Sequence, residues 1–177
     1  LVSVNEVRAD TFTVDPSHAY VQFNVQHKGL APNWGRFNRM SGSVTLKDDP
    51  KQNQLTVEID AASVDTGHPK RDAHLRNADF FDAGQFPKIT FKSTSWKVID
   101  PTTHEVTGDL RFHGVTRAMT IILKKTGEGT DRKNRKKAGF TTQFEIDRFA
   151  HGVTYGAKGI GQMVKVIVSV ETTQKTN

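Results

Sequence analysis

The chain contains no cysteine. A disulfide framework, a thiolate zinc site and a cysteine nucleophile are excluded together. The absence is neutral about compartment, although a cysteine-free chain suits an oxidising one such as a periplasm. Long apolar runs are missing as well. Stretches such as MTIIL at 119–123 last only a few residues, far short of the roughly 20 that carry a helix across a bilayer. The first ten residues, LVSVNEVRAD, lack the basic start and apolar core of a secretory signal, so any signal is expected to have been removed already. Catalytic signatures are absent too: there is no G-x-S-x-G, no H-E-x-x-H, no P-loop and no G-x-G-x-x-G. His68 and His74 lie near Asp72, but six residues do not bring two histidines onto one helix face, so no metal site is expected. These absences point away from an enzyme.

What is present suits one soluble domain. At 177 residues the chain is long enough to bury roughly 70% of its unfolded surface, and a single domain over 1–177 is expected, with its core at about 11–171. The polar end TTQKTN (172–177) reads as the remnant of a linker to another module. The formal charge of +6 suggests an anionic partner, yet KKTGEGTDRKNRKK (124–137) alone holds seven basic and two acidic residues. The rest of the chain is nearly neutral. A Gly-rich basic run between two strand-like segments reads first as a solvated hairpin loop. Its functional reading is contact with anionic headgroups at a membrane surface. No aromatic residue interleaves it, so the stacking platform of a single-strand binder is missing and nucleic acid is not expected.

Alternation with period two dominates the chain. In HAYVQFNVQHK, Ala19, Val21, Phe23, Val25 and His27 share one face; in FTTQFEI, Phe140, Phe144 and Ile146 do. Eight or nine such segments can be counted, at about 11–14, 18–28, 36–47, 54–63, 88–99, 105–113, 117–126, 138–147 and 162–172. One-sided strands joined by short turns imply antiparallel pairing. Closure of about eight strands removes the exposed edges and leaves an interior for side chains or one slender ligand. Only 64–87 breaks the rhythm, and HPKRDAHLRNADFF is expected to carry one or two short helices from near Pro69. The stretch HLRNADFFDAGQFPKITFKST is rich in phenylalanine yet punctuated like a loop. Such a segment suits the mouth of a barrel, as a plug or as a pocket wall.

Four stretches resemble the YceI-like family. YVQFNVQHKGLAPNWGRFNRMSGSV is similar to its first signature, an F-x-V-x-H segment followed by G-x-F. SVDTGHPKRDAHLRNADFFDAGQFPKITFKST resembles its most specific motif, with R-D-x-H-L, D-F-F-D and F-P-x-I-x-F-x-S. VTGDLRFHGVTRAMT matches a G-x-L-x-x-H-G-V-T segment, and IDRFAHGV resembles the closing R-x-x-x-G-V element. They fall in family order. The basic insert at 127–137 departs from the pattern and leaves that loop without a family role.

The resemblance implies an all-β fold, an eight-stranded antiparallel lipocalin-like barrel with a short helical segment covering one mouth. It also implies a periplasmic or secreted carrier of a polyisoprenoid or similar lipid, such as a polyprenyl phosphate or an isoprenoid quinone like ubiquinone, with no catalytic cofactor. A different class stays open: an accessory, carbohydrate-linked module of a larger secreted protein. Homodimerisation also stays open, since no surface stripe marks it. Alternation assigns Val21, Phe23, Val25, Phe37, Phe91, Leu110, Phe112, Phe140, Phe144 and Val166 to one lumen, with His27 at its edge. Leu75, Phe80, Phe81 and Phe86 are expected to line or narrow its entrance. Arg71, Asp72, His74 and His113 are candidates for holding a headgroup, with a local structural role as the competing reading. A prenyl tail of about forty carbons at roughly 0.8 kcal/mol each would exceed the practical ceiling of about −20 kcal/mol for non-covalent binding. The relevant reference is a membrane, where the tail is already dry, so the lumen has only to imitate hydrocarbon. Reversible carriage follows.

Overall fold

The computed structural model describes residues 9–175. In chain order these form β1 (Ala9–His27), β2 (Ala31–Phe37), β3 (Met40–Lys47), β4 (Gln54–Asp60), β5 (Val64–Asp65), α1 (Pro69–Arg76), β6 (Lys88–Val98), β7 (Thr103–Phe112), β8 (Val115–Thr130), β9 (Lys136–Asp147) and β10 (Ile160–Gln174), besides three short 3-10 turns. All strand pairs are antiparallel, and β10 returns to pair with β1, so the sheet closes on itself. β3 pairs with the first half of β1 and β2 with the second. The two act as one bent stave, and β5 clips onto the free side of β2. The result is a closed eight-stranded antiparallel barrel with one short helix.

Several boundaries differ from the sequence reading for local reasons. Segments 11–14 and 18–28 are one strand, whose register against β10 slips between Val14 and Ala19. Pro16, which has no N–H to give the ladder, sits in that bulge. Residues 31–35, left between the expected strands 18–28 and 36–47, belong to β2, and 36–47 is divided between β2 and β3. The basic run is not a loop for most of its length. β8 and β9 stay paired out to Thr130 and Lys136, leaving a five-residue turn. Asp131 ties that turn by accepting hydrogen bonds from the backbone N–H groups of Lys133 and Arg135 and from Arg135 Nε. At the C-terminal end, Thr172–Gln174 belong to β10 rather than to a linker. Thr172 is fully buried and donates to Ala138 O at 2.8 Å; residues 176–177 lie outside the described residues.

The chain direction sorts the connections into two ends. β1–β2, β7–β8, β9–β10 and the whole 61–87 segment lie at one end with α1; the 131–135 turn lies at the other. Helix α1 begins where expected. His68 caps it by accepting from Arg71 N–H, and Pro69 occupies the first turn, where a missing N–H costs nothing. The helix has no apolar stripe, and Asp72 is its only buried residue. What seals the end is the irregular chain that follows it, through Phe80 and Phe81.

Candidate ligand-binding lumen

Inward side chains from all eight staves enclose an apolar lumen of two adjoining compartments. The larger has about 970 Å³ of atom-free space, part of it continuous with solvent, and is lined by Val14, Val21, Leu55, Phe91, Leu110 and Phe140 among others. The second, about 660 Å³, lies under the helix end and is lined by Val25, Leu75, Phe80, Phe81, Phe112 and Val153 among others. Both include Phe23, Phe37, Ile89, Ile146 and Val166, so they are two parts of one interior. All ten residues assigned inward by alternation line one or the other. Phe23 and Phe91 share the larger, as the register requires.

Between the compartments stands an aromatic cluster. Phe81 packs on Phe37 (5.3 Å between ring centres), Phe112 (5.9 Å) and Phe23 (6.3 Å), mostly tilted or edge-on. Such arrangements align the ring edge with the negative face of its neighbour. Phe23 reaches its place because its cross-strand partner is Gly35, where a Cβ would lie 2.4 Å from its ring. Outside Phe81, Phe80 closes the end with His74 and Tyr155, the three rings about 5 Å apart. Leu75, Phe80 and Phe81 thus form a wall of the second compartment, not a separate cap.

The remaining candidates sit elsewhere. Phe86 lines neither compartment; its ring lies on His113 and over Gly114. Gly114 has φ +75°, and a Cβ there would stand 2.6 Å from Phe86. Only glycine satisfies both demands, which gives the H-G-V-T turn its physical reason. His27 ends β1 opposite Ile160 and borders a surface hollow with Lys28 and the 156–160 loop, outside the lumen.

The headgroup candidates are occupied locally. Arg71 is exposed and donates to Thr66 Oγ1 (2.8 Å) and Thr66 O (3.0 Å). Asp72 is buried and accepts from the N–H and the hydroxyl of the same Thr66. The two side chains clamp one residue rather than each other, and so fix α1 to the chain before it. His74 meets Asp79 at 2.8 Å, and His113 donates from Nδ1 to His151 O at 3.1 Å. None of the four lines the lumen.

Sequence reasoning assigned no role to Arg148, the most buried cation of the described residues at 4% exposure. It donates to the carbonyls of Val153, Tyr155, Ile160 and Gly161 at 2.8–2.9 Å. Burial lowers its pKa. Those bonds stitch the 148–161 loop shut beneath the second compartment. The arginine of the closing R-x-x-x-G-V element was the available signal. Also unforeseen were two buried histidines: His104, which accepts from Trp96 Nε1–H at 3.2 Å at the far end, and His151 under Phe112.

A closed eight-stave barrel, an apolar lumen and a Phe-walled helix end are joined by a direct sequence match. A family model, the YceI-like domain, covers residues 12–172. The chain belongs to the YceI-like family. A YceI relative, Protein YceI of Escherichia coli O157:H7, is 37% identical over 159 residues, spanning 89% of this chain and 83% of the relative. Among solved structures, BcnA of Burkholderia cenocepacia superposes with a TM-score of 0.80 at 23% identity, covering 89% of this chain and 98% of BcnA. A polyisoprenoid binding domain from Saccharophagus degradans, implicated in plant cell wall breakdown, superposes with a TM-score of 0.70 at 15% identity, over 96% of this chain and all of that one. At these identities both establish the fold alone.

Proposed function

We propose that this YceI-like protein binds a long isoprenoid lipid in its lumen and carries it without changing it chemically. The observation that carries the reading is the continuous apolar interior, built from the inward face of the barrel wall and from the Phe80–Phe81 wall at the helix end. An interior lined by aliphatic and aromatic side chains recognises the length and shape of hydrocarbon rather than a polar pattern. The likeness to a polyisoprenoid binding domain supports the same ligand class. A carrier of such a lipid serves where two membranes face each other across water, which accords with a periplasmic setting.

In the basic 124–137 ribbon four of the seven cations are held in ion pairs, while Lys124, Arg132 and Lys133 stand exposed. Lys125, Arg135, Lys136 and Lys137 are paired with Glu128, Asp131, Asp10, and Asp15 with Glu171, respectively. The ribbon also lies at the end away from the Phe80–Phe81 wall. We place ligand exchange at the helix end, beside the Phe80–Phe81 wall. The test is an organic extract of the purified protein, analysed by mass spectrometry. An isoprenoid lipid should appear in stoichiometric amount. An extract empty of apolar lipid from a host rich in such lipids would favour the accessory-module reading.

A further inference from the structure

Among the described residues, Leu30 is the most exposed large hydrophobic side chain, at 83%. It follows a tight turn in which Lys28 (φ +51°) and Gly29 (φ +68°) are both left-handed, and its N–H donates to His27 O at 3.0 Å. The turn is held from outside as well. Lys28 N–H donates to Gly159 O at 2.6 Å, which fixes it against the loop between β9 and β10. That loop closes on itself, because Gly159 and Ile160 both donate to Gly156 O at 2.8 Å. The two turns border one surface hollow, lined by His27, Lys28 and residues 156–160. Ile160 lines both that hollow and the second compartment of the lumen. Tyr155, 47% exposed, sets its ring against Phe80, part of the wall of the same compartment. Exposed apolar side chains therefore stand one residue away from the lumen.

The charge at this place has one sign. Residues 27–32 and 152–160 contain Lys28 and Lys158, both exposed, and no carboxylate. In the neighbouring 61–87 segment Lys70 is exposed too, while Asp65, Asp72 and Asp79 are held by Arg36, Thr66 and His74, and Asp82 is half-buried. We infer that this surface docks on an anionic bilayer, with Leu30 and Tyr155 entering the acyl boundary and Lys28 and Lys158 reaching back to headgroup phosphates. The inference rests on the lipid-carrier reading and adds the partner from which the lumen is filled. A lysine lays its stem along apolar surface while its ammonium stays at the polar boundary. Apolar side chains rimmed by lysines therefore suit a bilayer interface. The opposite end has the basic ribbon, but residues 124–137 include no apolar side chain to insert. The exposed Val98 and Ile99 there precede Asp100, which an anionic surface repels.

Because the chain has no cysteine, a polarity-sensitive dye can be attached to the full chain at Leu30→Cys, Ile99→Cys or Arg132→Cys alone, all exposed positions. Each is mixed with vesicles of phosphatidylcholine, or of equal parts phosphatidylcholine and phosphatidylglycerol, with brominated acyl chains. The Leu30 dye should shift to shorter wavelength and be quenched on the anionic vesicles, and far less on the neutral ones. The other two positions control for the dye's own affinity and should not respond. In co-sedimentation of unlabelled protein, Lys28→Gln with Lys158→Gln should weaken binding to the anionic vesicles on the order of thirtyfold, and Leu30→Asn on the order of tenfold. Quenching at Ile99 or Arg132 without quenching at Leu30 assigns docking to the opposite end and overturns the inference. An equal response to both vesicle types, or none, overturns it as well. The organic extract decides lipid carriage separately. An isoprenoid lipid recovered from a protein whose Leu30 dye never responds leaves carriage standing and removes the docking surface. An empty extract beside a responding Leu30 dye does the reverse.

Discussion

Arg71 and His104 are both polar side chains with partners in the fold, and neither lines the lumen. Arg71 holds Thr66 through two hydrogen bonds at an exposed site. Arg71→Ala is therefore expected to lower the melting temperature by about 2–4 °C or less and to leave lipid retention unchanged. A marked loss of retention in a variant that melts normally would restore Arg71 as a headgroup anchor. His104 and His151 are both held neutral, with burial lowering their pKa values first and foremost. At His104 the Trp96 N–H also occupies Nδ1, so the proton resides on Nε2. When the folded pKa lies below the unfolded one, the unfolded chain binds the extra proton in the interval between them. Stability is then full above about pH 6.5, the unfolded histidine value, and declines as pH falls below it. Denaturant melts at pH 7.5 and 5.5 should show this decline, and His104→Gln should reduce it. A flat profile between those pH values would contradict neutral burial.

The element proposed to control exchange is the 61–87 segment, and it shows what a sequence can and cannot disclose. Its helix was legible because Pro69 is a local signal of a helix start. Its direction of attachment was not, because Asp72 and Arg71 both find Thr66, a partner several residues back whose position depends on the folded chain. The same limit separated Phe80 and Phe81 from Phe86: all are phenylalanines in a loop-like stretch, and only the approach of Gly114 takes Phe86 away from the lumen. Asp72→Ala would leave two Thr66 donors unpaired, at a cost of about 1–3 kcal/mol. Its expected signature is faster lipid release from a protein that still folds, measured by transfer to acceptor vesicles. Phe81→Asp, by placing a charge against Phe23, Phe37 and Phe112, should abolish retention more than it affects folding. Wild-type release rates in both variants would show that this segment does not gate the lumen.

At the scale of the whole molecule, the barrel was the most legible feature. Period-two alternation fixes which side chains point inward, and a one-residue slip would have exposed every one of them. Closure, by contrast, rests on β10 meeting β1 across nearly the full chain length, and the bulge at Asp15–His18 hid the continuity of β1. The meeting of the Lys28–Leu30 turn with the 156–160 loop is invisible to alternation, since it depends on the folded chain bringing two distant turns together. The central claim is that a lipid occupies the lumen itself. Native mass spectrometry of the protein purified from a membrane-rich host tests it directly, with Val168→Trp as the companion because Val168 lines the larger compartment beside Thr142. Filling a packed interior costs about 1–3 kcal/mol, which a barrel of this size should survive. The account predicts one apolar lipid adduct per wild-type chain and none on Val168→Trp. A wild type at its bare polypeptide mass, or an adduct retained undiminished by the filled variant, would contradict it.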